Sequence, residues 1–237
     1  AIYDPVRDRM LVYGGFDGST YFGEVWALSL GGAPEWTQLL AAPDCPEARG
    51  AHTAIYDPVR DRMVVFGGGT GADYLCWDVL ALSLGEEPQW TLLEPTGSWL
   101  AGRAGHSAIY DPVRDRMVVF GGIEGGEAAA LSLGEAPAWS ILAPVGAPPD
   151  WRYQHSAIYD PVRGRMIVFQ GKGLDGTYFD AWALTWGTTV PVQLALVSAE
   201  ATPGLVRLTW YAAAGGGLSA TVYRCTGSGA WSALGTI

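Results

Sequence analysis

Short apolar runs paired across one polar turn recur four times along the chain, at Ala1–Gly15, Ala54–Gly68, Ala108–Gly122 and Ala157–Gly171. In each copy Ala-Ile-Tyr leads into Asp-Pro-Val-Arg, and an arginine followed by four apolar residues leads out toward glycine. The outgoing run, Met-Val-Val-Phe in the middle copies, is apolar without alternation, which predicts a strand covered on both faces. Proline at the second turn position sets φ for a type I turn, and the aspartate before it accepts a local backbone hydrogen bond. The residue before the second arginine is Asp8, Asp61, Asp115 and then Gly164. Asp and Gly share a tolerance of positive φ, so this position reads as the left-handed residue of a bulged hairpin.

A third apolar run follows, at Val25–Leu30, Val79–Leu84, Ala128–Leu133 and Ala181–Trp186, each preceded by an acid: Glu24, Asp78, Glu127 or Asp180. A fourth run starts at Trp36, Trp90 and Trp139, with proline two residues earlier. Proline cannot donate to a ladder, so this predicts an outermost strand. The steps Tyr3–Tyr56, Tyr56–Tyr110 and Tyr110–Tyr159 are 53, 54 and 49 residues. Four strands per unit at a period near fifty predict an all-β propeller.

Arginine and histidine three residues apart open three of the units: Arg49 and His52, Arg103 and His106, Arg152 and His155. With the glycine pair, the acid-led third strand and the outer Trp, the pattern resembles the kelch repeat over about residues 1–187. The repeats fall near 1–48, 49–102, 103–151 and 152–187. In the third, Arg103, His106, Gly121, Gly122, Glu127 and Trp139 are expected to serve the fold, since they recur. The histidines are expected to bond backbone between blades, the arginines to satisfy loop carbonyls, and the acids to accept from amides near the glycines. The fourth repeat departs in having Gln170-Gly171 and no outer Trp run.

After Gly187 the composition changes. Residues 188–191 read as a linker, and 192–237 as four strand-like pieces: Val192–Thr202, Leu205–Tyr211, Ala220–Tyr223 and Trp231–Ile237. The spacing of Trp210, Tyr223 and Trp231 resembles the first half of a fibronectin type III-like domain. The expected fold is therefore a β-propeller fragment of four kelch-like blades plus the start of a β-sandwich. The resemblance implies six or seven blades, so the chain reads as a piece of a longer protein. A strand from upstream of Ala1 or from Val192–Val197 would complete the fourth blade.

The formal net charge is −10, and Lys172 is the only lysine. This argues against nucleic acid and anionic membrane surfaces as partners. No apolar stretch approaches membrane-spanning length, so no membrane insertion is expected. Cys45 and Cys76 are not repeat positions, and the topology brings both to one rim. They form a possible disulfide, which would fit an extracellular or cell-surface protein. Cys225 has no evident partner, and the spacing matches no zinc motif.

No nucleophile, metal or phosphate-cradle motif appears, so no cofactor is expected. Ligand recognition is expected where the copies differ. Between the glycines and the acid lie Phe16–Gly23, Gly69–Trp77, Ile123–Gly126 and Lys172–Phe179. They share an end of the propeller with the connections between blades. That end presents Tyr21, Phe22, Tyr74, Trp77, Trp99, Trp151 and Tyr178 as candidate ligand-binding residues, with Asp17, Asp73 and Asp175 among them. Rings beside acids suit a glycan or protein ligand; packing of the rings on one another is the plainer alternative. The short third loop is expected to leave a notch in the rim. Two classes stand: a non-catalytic binding or scaffold module, or an enzyme. Some kelch-like propellers are copper radical oxidases and others act on sialic acids, but here every histidine is a repeat residue. A structural spacer is a third possibility.

Overall fold

The computed structural model describes residues 1–41, 44–71, 74–144 and 146–186, and beyond them the backbone of four strands. Two compact units divide at Trp186 and Gly187. The first is a four-blade β-propeller arrangement without helices. Blade one pairs Ile2–Asp4, Arg9–Phe16, Tyr21–Ser29 and Trp36–Leu40 in order; blade two pairs Thr53–Asp57, Arg62–Phe66, Val79–Ser83 and Trp90–Leu93. Blade three begins with Ser107–Asp111, Arg116–Phe120, Ala128–Ser132 and Ala138–Leu142. Blade four has Ser156–Asp160, Arg165–Phe169 and Ala181–Thr185, with no fourth strand among the described residues.

One expectation needs correcting. The Trp139 strand is not the outermost of its sheet, because Thr96–Gly97 pairs in parallel beside Ala138–Trp139. A connection between blades thus shields an edge whose ladder groups would otherwise face solvent.

Each hairpin turn forms as its residues dictate. The fully buried Asp57 accepts from the amides of Val59 and Arg60 at 3.1 and 3.2 Å, and Asp61 takes φ +46°. Asp8, Asp115 and Gly164 hold the same left-handed conformation. The apolar runs then bury according to their neighbours. Met63–Phe66 and Met117–Phe120 are buried on both faces, because a blade lies on either side. The near-identical runs of blades one and four alternate between buried and partly exposed.

Three apolar clusters fill the junctions. Leu11, Tyr13, Met63 and Leu82 centre the first; Val64, Phe66, Met117 and Leu131 the second; Val118, Phe120, Met166 and Val168 the third. Outer tryptophans close the first two, with Trp90 4.8 Å from Tyr13 and Trp139 4.9 Å from Phe66.

In the second unit, Leu194–Thr202 pairs antiparallel with Leu205–Ala212, and Thr221–Arg224 with Ser232–Thr236. The expected linker 188–191, Cys225 and Trp231 lie outside the described residues, as does Asp73 of the rim.

Candidate functional site: the aromatic rim

The repeat residues brace each blade, and join it to its neighbour, at the glycine end. Arg103 is fully buried and bonds Glu127, the Gly121 carbonyl (3.3 Å) and the Ala101 carbonyl (3.3 Å). Arg49 grips Asp78 with both arms at 2.7 and 2.9 Å, and Arg152 does so with Asp180 at 2.5 and 3.2 Å. The arginines do satisfy loop carbonyls. Asp78, Glu127 and Asp180, however, take arginine as their main side-chain partner rather than amides, because a buried guanidinium needs a counter-charge. Beside Arg152 the Asp180 carboxyl is held down at about 2.

The second glycine of each pair reaches the next blade. Gly15, Gly68 and Gly122 donate their amides to the carbonyls of Arg49, Arg103 and Arg152, each at 2.9 Å. Two of the three histidines bond hydroxyls of the preceding blade through Nε2: His106 meets Thr53 Oγ1 at 2.7 Å, and His155 meets Ser107 Oγ at 2.8 Å. Burial pushes His106 down to about 3, and His52 and His155 to about 4, so all three are neutral at pH 7. They sit at three separate junctions. Among the described residues, no group of three His, Cys, Asp or Glu side chains converges as metal ligands would.

Cys45 and Cys76 are free thiols, which corrects the expected disulfide. Cys45 packs beside Trp90 in the first junction, whereas Cys76 is buried where its backbone pairs with Gly68 and Arg103. Each is held by a different set of neighbours, and burial pushes both thiols up from their ordinary range.

The rim aromatics divide into three groups. Tyr21 stacks on Phe16 at 4.4 Å, and Phe22 stands partly exposed behind it. Trp151 leans on Tyr153 at 5.4 Å, and Tyr178 lies over Arg152 with the guanidinium 4.6 Å from its ring centre. These rings hold loops down. The third group differs. Trp77, from the glycine loop of blade two, meets Trp99, from the next connection, at 5.5 Å. Trp77 Nε1 donates to Tyr74 Oη at 2.8 Å. Yet Tyr74, Trp77 and Trp99 remain 52, 51 and 73% exposed. Trp77 and Trp99 border a cavity of about 500 Å³ that runs past Leu92 and Leu100 to Trp139.

A second cavity, about 310 Å³, lies between blades three and four against Phe120, Glu127, Pro144 and Trp182. It touches the short third loop at Gly126, where the notch was expected. Sequence reading passed over the stack of Phe16 on Tyr21 and the highly exposed Leu174.

The chain matches the family model of the KLHDC2/KLHL20/DRC7 Kelch-repeats domain over residues 59–204. It belongs to the kelch-repeat family. No curated protein matches this kelch chain. Among solved structures, it is similar to a fungal alcohol oxidase of the AA5 family in complex with copper, at 16% identity and a TM-score of 0.55. That alignment covers 84% of the kelch chain and 45% of the oxidase, so the chain spans less than half the oxidase's length. At that identity the likeness shows the fold alone. A structure described as that of YjhT aligns at 14% identity and a TM-score of 0.49, over 80% of this chain and 68% of that one.

Proposed function

We propose that this kelch domain is a non-catalytic binding module whose glycine-end rim takes a glycan or protein ligand around Trp77 and Trp99. The observation that carries the reading is the exposed Tyr74–Trp77–Trp99 cluster beside an open cavity of about 500 Å³. Two rings and a phenol hydroxyl, already fixed against each other, offer contact area at little entropic cost. The strands next to their loops are anchored by buried repeat contacts, which support the cluster.

The reading assigns no catalytic residue and no cofactor. His106 and His155 are buried at blade junctions and His52 is partly buried at another, and each arginine–acid pair of the glycine end belongs to the frame of its own blade. The net charge of −10 leaves nucleic acid outside the proposed partners. An extracellular or cell-surface setting, with residues 192–237 as part of a fibronectin type III-like domain, belongs to the same proposal. It leans on the order of the two units and not on a disulfide, since both thiols are free.

Glycan and peptide arrays probed with the whole chain would supply a ligand, and Trp99→Ala would then test the rim. Binding is expected to fall at least tenfold with the unfolding midpoint unchanged. Full affinity in both Trp99→Ala and Trp77→Ala would remove the rim from the reading.

A further inference from the structure

At two blade junctions a carboxylate sits in the same small cage, on the turn end opposite the rim. Arg7 forks onto Asp61 at 3.2 and 2.6 Å, and Tyr56 Oη donates to the same carboxylate at 3.0 Å. Arg60 forks onto Asp115 at 3.1 and 2.5 Å, with Tyr110 Oη at 3.0 Å. Beside each cage a further arginine bonds a carbonyl of the following blade: Arg9 to Leu84, and Arg62 to Leu133.

The third junction keeps the cage and lacks its carboxylate. Gly164 takes the position of Asp61 and Asp115 with the same backbone, φ +57° against +46° and +48°. Only the side chain is gone. Among the described residues, Arg114 then pairs with Asp111 alone, at 3.3 Å. The buried Tyr159 hydroxyl and the buried Nη2 of Arg116 have no hydrogen-bond partner. Asp160 of blade four is bound by its own Arg163 and Arg165. Arg114 and Arg116 share Asp111, so one positive charge is left uncompensated where the other junctions balance. Buried donors without partners are costly, and a cation beside them sets the sign of what would satisfy them.

We infer that the Arg114–Tyr159–Gly164 cage binds a small carboxylate anion. Acetate is the side chain of aspartate with one hydrogen added, so it matches the missing group in shape, charge and acceptor count. It would accept from the free arm of Arg114 and from the Tyr159 hydroxyl, as Asp115 does from Arg60 and Tyr110. Arg114 keeps 23% of its side chain exposed, which leaves the cage open to solvent.

Thermal unfolding of the whole chain at pH 7, in sodium acetate against sodium chloride at equal ionic strength, tests this. Acetate is expected to raise the midpoint saturably, by roughly 2–4 °C over chloride. Gly164→Asp should raise the midpoint without acetate and abolish the acetate-specific shift. Tyr159→Phe should shrink that shift, and Asp115→Gly, by opening a second cage, should enlarge it. Equal midpoints in acetate and chloride, or an acetate shift that survives in Gly164→Asp, would overturn the inference. If Gly164→Asp does not fold, an unchanged shift in both other variants would overturn it equally.

Discussion

The ring of His155 occupies the space that a side chain on Gly121 would need. A Cβ on Gly121 would lie 2.8 Å from His155 Cε1 and 2.6 Å from the Arg152 carbonyl oxygen. The same relation joins His106 to Gly67 at 3.0 Å and His52 to Gly14 at 3.3 Å. The first glycine of each pair is therefore set by the next blade's arginine carbonyl and histidine ring together, a contact between repeats rather than within one.

Gly121→Ala should destabilise the propeller by about 3 kcal/mol, because the methyl meets backbone and the residue holds φ +66°. Gly134→Ala, with open space around its Cβ and no positive φ, should change stability by less than about 0.5 kcal/mol. Chemical denaturation of both variants decides; equal costs would show that the contacts of the next blade on Gly121 do not exclude a side chain. Gln170 holds the matching position of blade four at φ +60°, and no following histidine packs on it among the described residues. Gln170→Gly should accordingly shift stability by no more than about 1 kcal/mol.

Glu127→Ala would leave the fully buried Arg103 without its counter-charge. A loss of about 2–3 kcal/mol is expected, kept below the range for fully buried pairs because Glu127 itself is 37% exposed. A denaturation midpoint within error of the parent would mean that the carbonyls of Gly121 and Ala101 suffice for the guanidinium.

Acidification should weaken the fold before its carboxylates protonate. The histidines titrate at about 3 to 4 when folded, against an ordinary value of 6.5. The unfolded chain therefore binds more protons between these limits. The stability is fully present above pH 6.5 and is lost as pH falls toward 4, at about 1–2 kcal/mol per histidine between pH 7 and 5. Urea midpoints across that range should fall steadily; a flat profile from pH 7 to 5 would contradict the neutral, buried imidazoles.

Cys45 and Cys76 should both react with an alkylating reagent under denaturing, non-reducing conditions, and the native unfolding midpoint should be indifferent to reductant. Recovery of a peptide cross-linked through these two residues would restore the disulfide expectation and, with it, an argument for export.

Much of a single blade is legible in the sequence, because its instructions are local. Asp-Pro-Val-Arg-Asp encodes a turn and a left-handed residue through backbone preferences of Pro and Asp, and Asp8, Asp61 and Asp115 all adopt it. The apolar runs encode burial on both faces, which the two middle blades realise. The rim was readable as a set of rings, but not as three groups. Whether Tyr178 is free or lies over Arg152, and whether Trp77 meets Trp99, depends on loops distant in sequence that approach only when the blade has folded.

The sequence by itself determined the repeat, its hairpins and its strand order, since these follow from turn chemistry and apolar periodicity within some fifty residues. Tertiary structure alone decided what the repeat residues are for. It set Asp78, Glu127 and Asp180 on arginines, His106 and His155 on hydroxyls of the preceding blade, all three histidines against its glycines, and the two thiols apart. It also showed that Asp61 and Asp115 are interblade ligands, so that a glycine at 164 removes an ion-pair partner and leaves the turn intact. The histidine–hydroxyl and interblade arginine–aspartate pairings join residues 48 to 55 positions apart, and docking of whole blades, which no local preference records, brings them together, whereas the arginine–acid pairs of the rim end close within one repeat.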